Sequence, residues 1–339
     1  MKVAVYYNNK DVRVEERPAP KISDKEILVK VRASGICGTD VMEWYRLKKA
    51  PLVLGHEITG DIAEVGSKVK GFKKGDRVFV SHHVPCGTCR YCRAEHHTAC
   101  NTLHTTNYDP GGFSEYIRIP QINIENGTYF LPDKMTYEEG TFIEPLACVY
   151  RAQKLAKIKS GCSMLVLGSG ISGILHLKLA KASGVKKLFA TDISKERLGF
   201  AKKTGAIPIN ADDDVVARLK QLNDNCLADC VIVCTGATNA FYQALDSVDN
   251  GGTIVFFAPP PPEIKISLPV ANLWRREVTL MTSYGAAPFD LEAALRIIEH
   301  KKIEVTDMIT DRIKLENIGE GFKKVAAAGK SLKVIINFS

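Results

Sequence analysis

Cys86, Cys89, Cys92 and Cys100 follow the pattern C-x2-C-x2-C-x7-C. Such short spacings force tight turns that aim thiolates at a common point. Four thiolates complete a tetrahedral zinc shell with no open position, so this site holds a fold and performs no chemistry. An iron–sulfur cluster also takes four cysteines. A disulfide knot is not expected in a chain this long that lacks a secretory segment. His82, His83, His96 and His97 read as solvated loop residues, because the shell is already full. A nucleic-acid finger needs a basic, readable helix beside the ligands. "RYCRAEHHTAC" has no helical period, which argues against a nucleic-acid partner.

A second set of donors is spread out. "SGICGTD" supplies Cys37, Thr39 and Asp40, "VLGHEITG" supplies His56 and Glu57, and "IEPLACVY" supplies Glu144. Together they offer one soft thiolate, one imidazole and one or two carboxylates. That set suits a catalytic zinc with an exchangeable position. Glu144 also reads as a carboxylate placed at a helix N-terminus by the helix dipole.

The third constellation binds phosphate. "CSMLVLGSGISGILHLKLAKASG" (162–184) reads as a buried strand, a glycine turn and a helix, with Gly168, Gly170 and Gly173 in G-x-G-x-x-G around Ile171. The first glycine makes the turn, the second lets backbone approach a pyrophosphate, and the third lets helix and strand pack closely. The free N–H groups of the helix N-terminus favour the anion. "KKLFATD" reads as the next strand, ending in Asp192 about 20 residues on, where an acid would bind the adenosine ribose. Asp192 would repel a 2′-phosphate, which predicts NAD. Arg197 reads as an adenine neighbour or a solvated helix residue.

These residues need elements to position them. Residues 1–150 show short alternating strands and glycine turns, which predicts a β-rich catalytic domain. From 151 to 285, apolar strands alternate with helices (194–204, 239–248), which predicts a doubly wound parallel-sheet, Rossmann-type nucleotide domain. The α/β class follows. "ADCVIVCTGA" (228–237) and "GGTIVFFAPPPP" (251–262) read as later strands, placing Thr235 at a strand carboxyl end near the cofactor. Cys226, Cys230 and Cys234 read as small core hydrophobes. Beyond 288 the pattern is an amphipathic helix, then strand, helix and strand.

The chain has 339 residues, 45% hydrophobic and 25% charged, with a formal net charge of +8. Lysines and arginines are scattered among acids, so no strongly basic face is predicted. No run of 18 apolar residues suggests a membrane span. "MKVAVYYNNKDVRVEE" lacks a signal-peptide core, so a cytoplasmic protein is expected.

The chain resembles the zinc-dependent medium-chain alcohol dehydrogenases, most of all their polyol, sorbitol or threonine dehydrogenase branch. The likeness rests on "GICGTD" (35–40), "GHE" (55–57), "VG" (65–66), "GDRV" (75–78), the four-cysteine lobe, "GGFSEY" (111–116), "EPLA" (144–147) and the glycine loop, in family order. It implies a GroES-like catalytic domain, to which 286–339 returns, with the active site in the cleft beside the nucleotide domain. By position, Cys37, His56, Glu57 and Glu144 are implied to serve a catalytic zinc. The lobe cysteines are implied to hold a structural zinc, giving two per chain. Thr39 is implied to relay the substrate proton, and Tyr45 and Tyr284 to line the substrate pocket. Relatives often carry a histidine five residues after the first cysteine, where this chain has Met42. Arg46, Lys48 and Lys49 suit either an anionic substrate group or a solvated face.

The implied function is hydride transfer between a secondary alcohol of a polyol or sugar-like molecule and NAD. Alternatives are a phosphorylated or otherwise anionic polyol, threonine, or a zinc-stabilised nucleotide-binding protein without turnover. The likeness also implies a homo-oligomer, dimer or tetramer.

Overall fold

The computed structural model describes residues 1–338. They form two compact units, Met1–Ala147 with the residues from Ala286 on, and Cys148–Gly285. Among the described residues, no helix is long and apolar enough to cross a membrane.

The first unit is built on a seven-stranded sheet. Its order is Ile309–Lys314, Lys333–Asn337, Ile27–Gly35, Glu57–Val65, Arg77–Val80 and Thr128–Phe130, with Tyr116–Ile119 also pairing Ile27–Gly35. All neighbours are antiparallel except Ile309–Lys314 and Lys333–Asn337. Alternation puts Ile27, Val29 and Val31 on one face, packed with Ile58, Ile62, Val78, Val80 and Ile117. Pairing of Ile27–Gly35 with Glu57–Val65 is interrupted between Leu28/Val29 and between Val31/Ala33. Such irregularities bend a strand and re-aim its end, here towards Cys37. A smaller sheet of Asp11–Glu16, Lys2–Asn8 and Leu52–Val53 adds a second core, where Tyr6 meets Phe322 of the helix Ile318–Ala326. The tail is strand, helix and strand, as its pattern predicts.

The second unit carries a six-stranded sheet in which every pair is parallel. Its order is Ile207–Asn210, Lys187–Asp192, Ser163–Leu167, Ala228–Val233, Val248–Phe256 and Thr279–Thr282. Numbered along the chain this is 3-2-1-4-5-6, the doubly wound order whose switch point lies between the first and fourth strands. The expected α/β class, with its β-rich partner unit, is therefore observed. Met164 to Leu167 are fully buried, as an apolar run covered on both faces requires.

Three details differ from the sequence reading. The edge strand Ile207–Asn210 and the helix Val215–Leu222 carry no obvious signal. Pro208 is tolerated there because an edge strand leaves one side unpaired. The strand expected at 251–262 spans Val248–Phe256, and the prolines lie beyond its end. Of the three cysteines assigned to the core, only Cys230 is buried. Cys226 is exposed and Cys234 half-buried, because both lie just outside the ends of the strand Ala228–Val233.

Candidate active site

Gly55 delivers the first donors. Its φ of +93° favours glycine, and a Cβ there would lie 2.7 Å from the Phe113 nitrogen. The chain then enters Glu57–Val65 with His56 and Glu57 both buried. Cys37 follows the end of Ile27–Gly35 and caps the turn Gly38–Val41. Its sulfur accepts from the Thr39 nitrogen at 3.5 Å and the Thr39 hydroxyl at 3.3 Å, while its own N–H donates to Asp40 Oδ2 at 3.0 Å. One donor atom each from Cys37, His56 and Glu57 lies within 4.8 Å of the others. A thiolate, an imidazole and a carboxylate so placed fit a zinc ion that keeps a position open.

Asp40 stands behind this set, with Oδ1 3.4 Å from His56 Nδ1 and 3.5 Å from Arg46. At this distance Asp40 and His56 form an ion pair, with no hydrogen bond on Asp40 Oδ1; a contact to Nδ1 would leave Nε2 as the donor nitrogen. Burial opposes an ionised Asp40, but His56 and Arg46 more than offset it, so Asp40 stays below the usual carboxylate range. Burial likewise opposes a charged His56. The Asp40 carboxylate and the Cys37 sulfur outweigh it and hold His56 well above the usual imidazole range. Metal binding would displace that proton. The Arg46 Nε donates to the Thr39 carbonyl at 2.9 Å, and a second nitrogen reaches the Thr39 hydroxyl at 3.4 Å.

Two further side chains crowd the donors. His82 lies tilted against His56 with ring centroids 4.8 Å apart, and its Nδ1 is out of solvent reach. His83 lies tilted against His82 at 3.8 Å. Burial, reinforced by the charges of His56, His104, Arg46 and Lys49, brings His83 down to about 4. The solvated-loop reading therefore fails for His82, which packs on the donor His56, and for His83, which packs on His82. It holds for His96, which is exposed. Lys333, fully buried, makes an ion pair with Glu57. Glu144 occupies the first turn of the helix Ile143–Leu155, outside the three-donor cluster. Tyr45 is exposed, with the Arg46 guanidinium 4.7 Å and the Lys49 ammonium 5.5 Å from its ring centre. Lys48 and Lys49 are solvated, whereas Arg46 is mostly buried. Tyr284 is half-exposed and belongs to the other unit.

The lobe brings Cys86, Cys89, Cys92 and Cys100 together with Sγ–Sγ distances of 3.6 to 4.0 Å between bonded neighbours. A disulfide needs about 2.05 Å. A tetrahedral site with Zn–S near 2.3 Å places its sulfurs about 3.8 Å apart. The four thiols differ without a cation. Hydrogen bonds from the Thr88 N–H and hydroxyl bring Cys86 down to about 5, whereas burial pushes Cys92 up to about 12. A divalent cation would let all four be thiolates at once.

In the second unit, Gly168 follows Leu167 with φ +96°, and a Cβ there would crowd Thr235 at 3.2 Å. Gly173 would meet the Gly168 carbonyl at 2.0 Å. Gly170 caps the helix Ile171–Ala182, and the one atom near a Cβ there is an Arg197 guanidinium nitrogen at 3.8 Å. Asp192 accepts from the Ser169 N–H at 2.8 Å and the Ser194 N–H at 2.9 Å. The glycines, Ile171, Asp192, Arg197 and Thr235 thus meet at the switch-point end of the sheet. A helix N-terminus, an anchored carboxylate and a guanidinium there fit a dinucleotide.

Two family models match. Residues 23–126 match the alcohol dehydrogenase GroES-like domain, and residues 172–300 match the zinc-binding dehydrogenase model. The chain belongs to the zinc-dependent alcohol dehydrogenases. This dehydrogenase is 33% identical to the D-xylulose reductase A of Aspergillus niger, over 96% of its own length and 93% of that protein's. Its fold matches galactitol-1-phosphate dehydrogenase from Escherichia coli with a TM-score of 0.87 at 26% identity, over 100% of both chains. It matches a Sinorhizobium meliloti 1021 zinc-binding dehydrogenase bound to NADP with a TM-score of 0.89 at 27% identity, over 99% of both chains.

Of the residues around the donors, only Lys333 has no sequence reading; Asp40 is named with the donors, Arg46 is given two alternative roles and His82 is read as a loop residue. What the spacing alone could have added is the role of Asp40, three residues after Cys37, where a capping box places an acid.

Proposed function

We propose that this dehydrogenase moves a hydride between a secondary alcohol of a polyol or sugar-like substrate and NAD. The observation that carries this reading is the meeting of Cys37, His56 and Glu57 donor atoms within 4.8 Å, beside the Thr39 hydroxyl. Those three would hold a catalytic zinc, with Glu144 as a further carboxylate, and the lobe cysteines would hold a structural one. When bound, zinc supplies Lewis-acid polarisation of the substrate hydroxyl and the nicotinamide supplies the hydride acceptor. Thr39 would accept a hydrogen bond from the substrate hydroxyl and give its own proton to solvent, for which its hydroxyl must turn from the Cys37 sulfur to which it donates here. Arg46 fixes the Thr39 hydroxyl, and Asp40 fixes the His56 ring. Met42 carries no proton, so the outward path does not use it. Tyr45 and Tyr284 supply substrate-side aromatic surface.

Gly168, Gly170, Ile171 and Gly173 present backbone to the pyrophosphate, with Thr235 and Arg197 alongside. Asp192 accepts from the ribose and repels a 2′-phosphate, which favours NAD over NADP. A second reading, an anionic polyol substrate, is favoured by the two cations of Arg46 and Lys49 over Tyr45. The likeness to galactitol-1-phosphate dehydrogenase agrees with it.

The test is NADH absorbance with zinc-loaded protein and xylitol, sorbitol, butanediol, galactitol 1-phosphate and threonine, with Cys37→Ser beside it. Turnover of neutral polyols that vanishes in the variant supports the first reading. Turnover confined to the phosphate ester supports the second. No turnover together with no stabilisation by NAD overturns both.

A cytoplasmic homo-oligomer, dimer or tetramer, completes the proposal. Val270 and Trp274 are 67% and 79% exposed on the helix that leads into the edge strand Thr279–Thr282. Light scattering on Trp274→Glu should then report a smaller particle.

A further inference from the structure

Thr128–Phe130 is the outermost strand at one end of the seven-stranded sheet. Strand alternation sends its two aromatic residues opposite ways. Tyr129 turns inward, near the buried Phe79 ring. Its hydroxyl donates to the Pro288 carbonyl at 3.0 Å, which ties the helix Pro288–Glu299 to the strand. Phe130 turns outward. It stacks on Phe72 with ring centroids 4.9 Å apart, yet 52% of it remains exposed.

Phe130 is the wall between two hollows. One, of about 500 Å³, is lined also by Gly71, Phe72, Lys73 and Asp76. A Cβ on Gly71 would meet nothing within 4 Å, so this hollow is open to a side chain from outside. The other, of about 450 Å³, is floored by the buried Leu131 and Leu295, with Asp133, Glu292, Arg296 and Glu299 in its lining. The two sides differ in charge. The first carries the exposed Lys70, Lys73 and Lys74, and the carboxylate in its lining, Asp76, accepts from the Lys73 N–H at 2.7 Å. The second carries three carboxylates, of which Glu299 pairs with Arg296 at 2.8 Å.

An aromatic side chain held by a stacked neighbour and left half in water is the kind of anchor that interfaces bury. Its flanks say what covers it. A uniformly anionic partner, such as a phospholipid surface or a nucleic acid, meets repulsion from the carboxylates. A uniformly cationic partner meets it from the lysines. A second copy turned by a twofold axis beside Phe130 meets neither, because it lays each side on its opposite and does so twice.

We propose that the face around Phe130 docks a second copy of this chain about a twofold axis, each Phe130 entering the hollow beside the other and the lysines of each copy lying against the carboxylates of its partner. This rests on the homo-oligomer reading above and gives it a second kind of contact. Trp274 belongs to the other unit, and two different isologous faces on one chain build a tetramer.

Light scattering of the full-length protein tests this. Phe130→Asp should halve the wild-type particle. Lys73→Glu with Lys74→Glu should do the same by setting acid against acid, and Asp133→Lys with Glu292→Lys by setting base against base. All five positions are exposed, so the variants leave the core intact. The four charge changes in one chain restore opposite charges across the axis and should restore the wild-type particle. Halving in both charge-reversed pairs without that recovery overturns the twofold pairing. An unchanged particle in Phe130→Asp and in both pairs overturns the face, and if Trp274→Glu still gives a smaller particle the oligomer reading stands without it. A monomeric wild type overturns both.

Discussion

The two donor clusters of the first unit contrast in every respect that chemistry cares about. The lobe draws four identical donors from one short segment, and each sulfur sees mainly other sulfurs and backbone N–H groups. The Cys37 cluster draws three unlike donors from two strand ends, and each has a distinct partner: Thr39 for Cys37, Asp40 for His56 and Lys333 for Glu57. A closed shell needs only convergence. A working site needs its donors held one by one, because their charge and freedom set what the metal can do.

The contrast is broken most severely by Cys37→Ser. It should cost turnover several kcal/mol, roughly 1,000-fold or more, when the Lewis acid is lost. Metal analysis should show one zinc lost and the lobe still filled. Cys100→Ser should act the other way, on stability. A loss of about 3 kcal/mol would lower Tm by roughly 6–12 °C in a unit of this size, as calorimetry would read it. Asp40→Asn should weaken zinc at the Cys37 site by about 10- to 100-fold in chelator competition and leave the lobe untouched.

The smallest effect sharpens the same lesson in the second unit. His176 is fully buried against the Phe257 ring, with Gln153 on its Nδ1 and, among the described residues, no charge that offsets burial. Burial alone brings it down to about 3, the opposite of His56. The unfolded chain therefore binds the extra proton as pH falls below about 6.5, and the folded chain does so only near 3. Stability is full above that window and declines as pH drops through it. Between pH 6.5 and 5 the loss should be roughly 1.5 kcal/mol. Denaturant melts of His176→Gln should show a flatter acid limb.

The sequence made legible whatever is local or periodic. The glycine turn, the strand before it, the acid after it and the four-cysteine spacing each lie within one short stretch. What it hid depends on distant strands meeting. Nothing near Glu57 announces Lys333, since the pair meets only across Gly35, which lies on the strand between theirs and carries no side chain. His82 reads as loop until the end of Arg77–Val80 lays it on His56. Arg46 reads as one of a solvated run until the short turns after Met42 bring it back to Thr39. The edge strand holding Pro208 carries too few apolar residues to stand out, and Cys226 shows that cysteine composition alone does not decide burial.

Asp192 has a consequence for how such a chain changes over time. Its two oxygens tie the glycine turn to the start of the next helix, through Ser169 and Ser194. In the proposed function, the same carboxylate is the group that an extra phosphate on the cofactor would meet. A lineage that exchanged it for a smaller residue would untie both loops at the moment it widened the pocket. Drift from one nicotinamide coenzyme to the other is therefore not a single step here. It would need a second change that re-anchors the turn, so that the fold itself would guard the proposed preference.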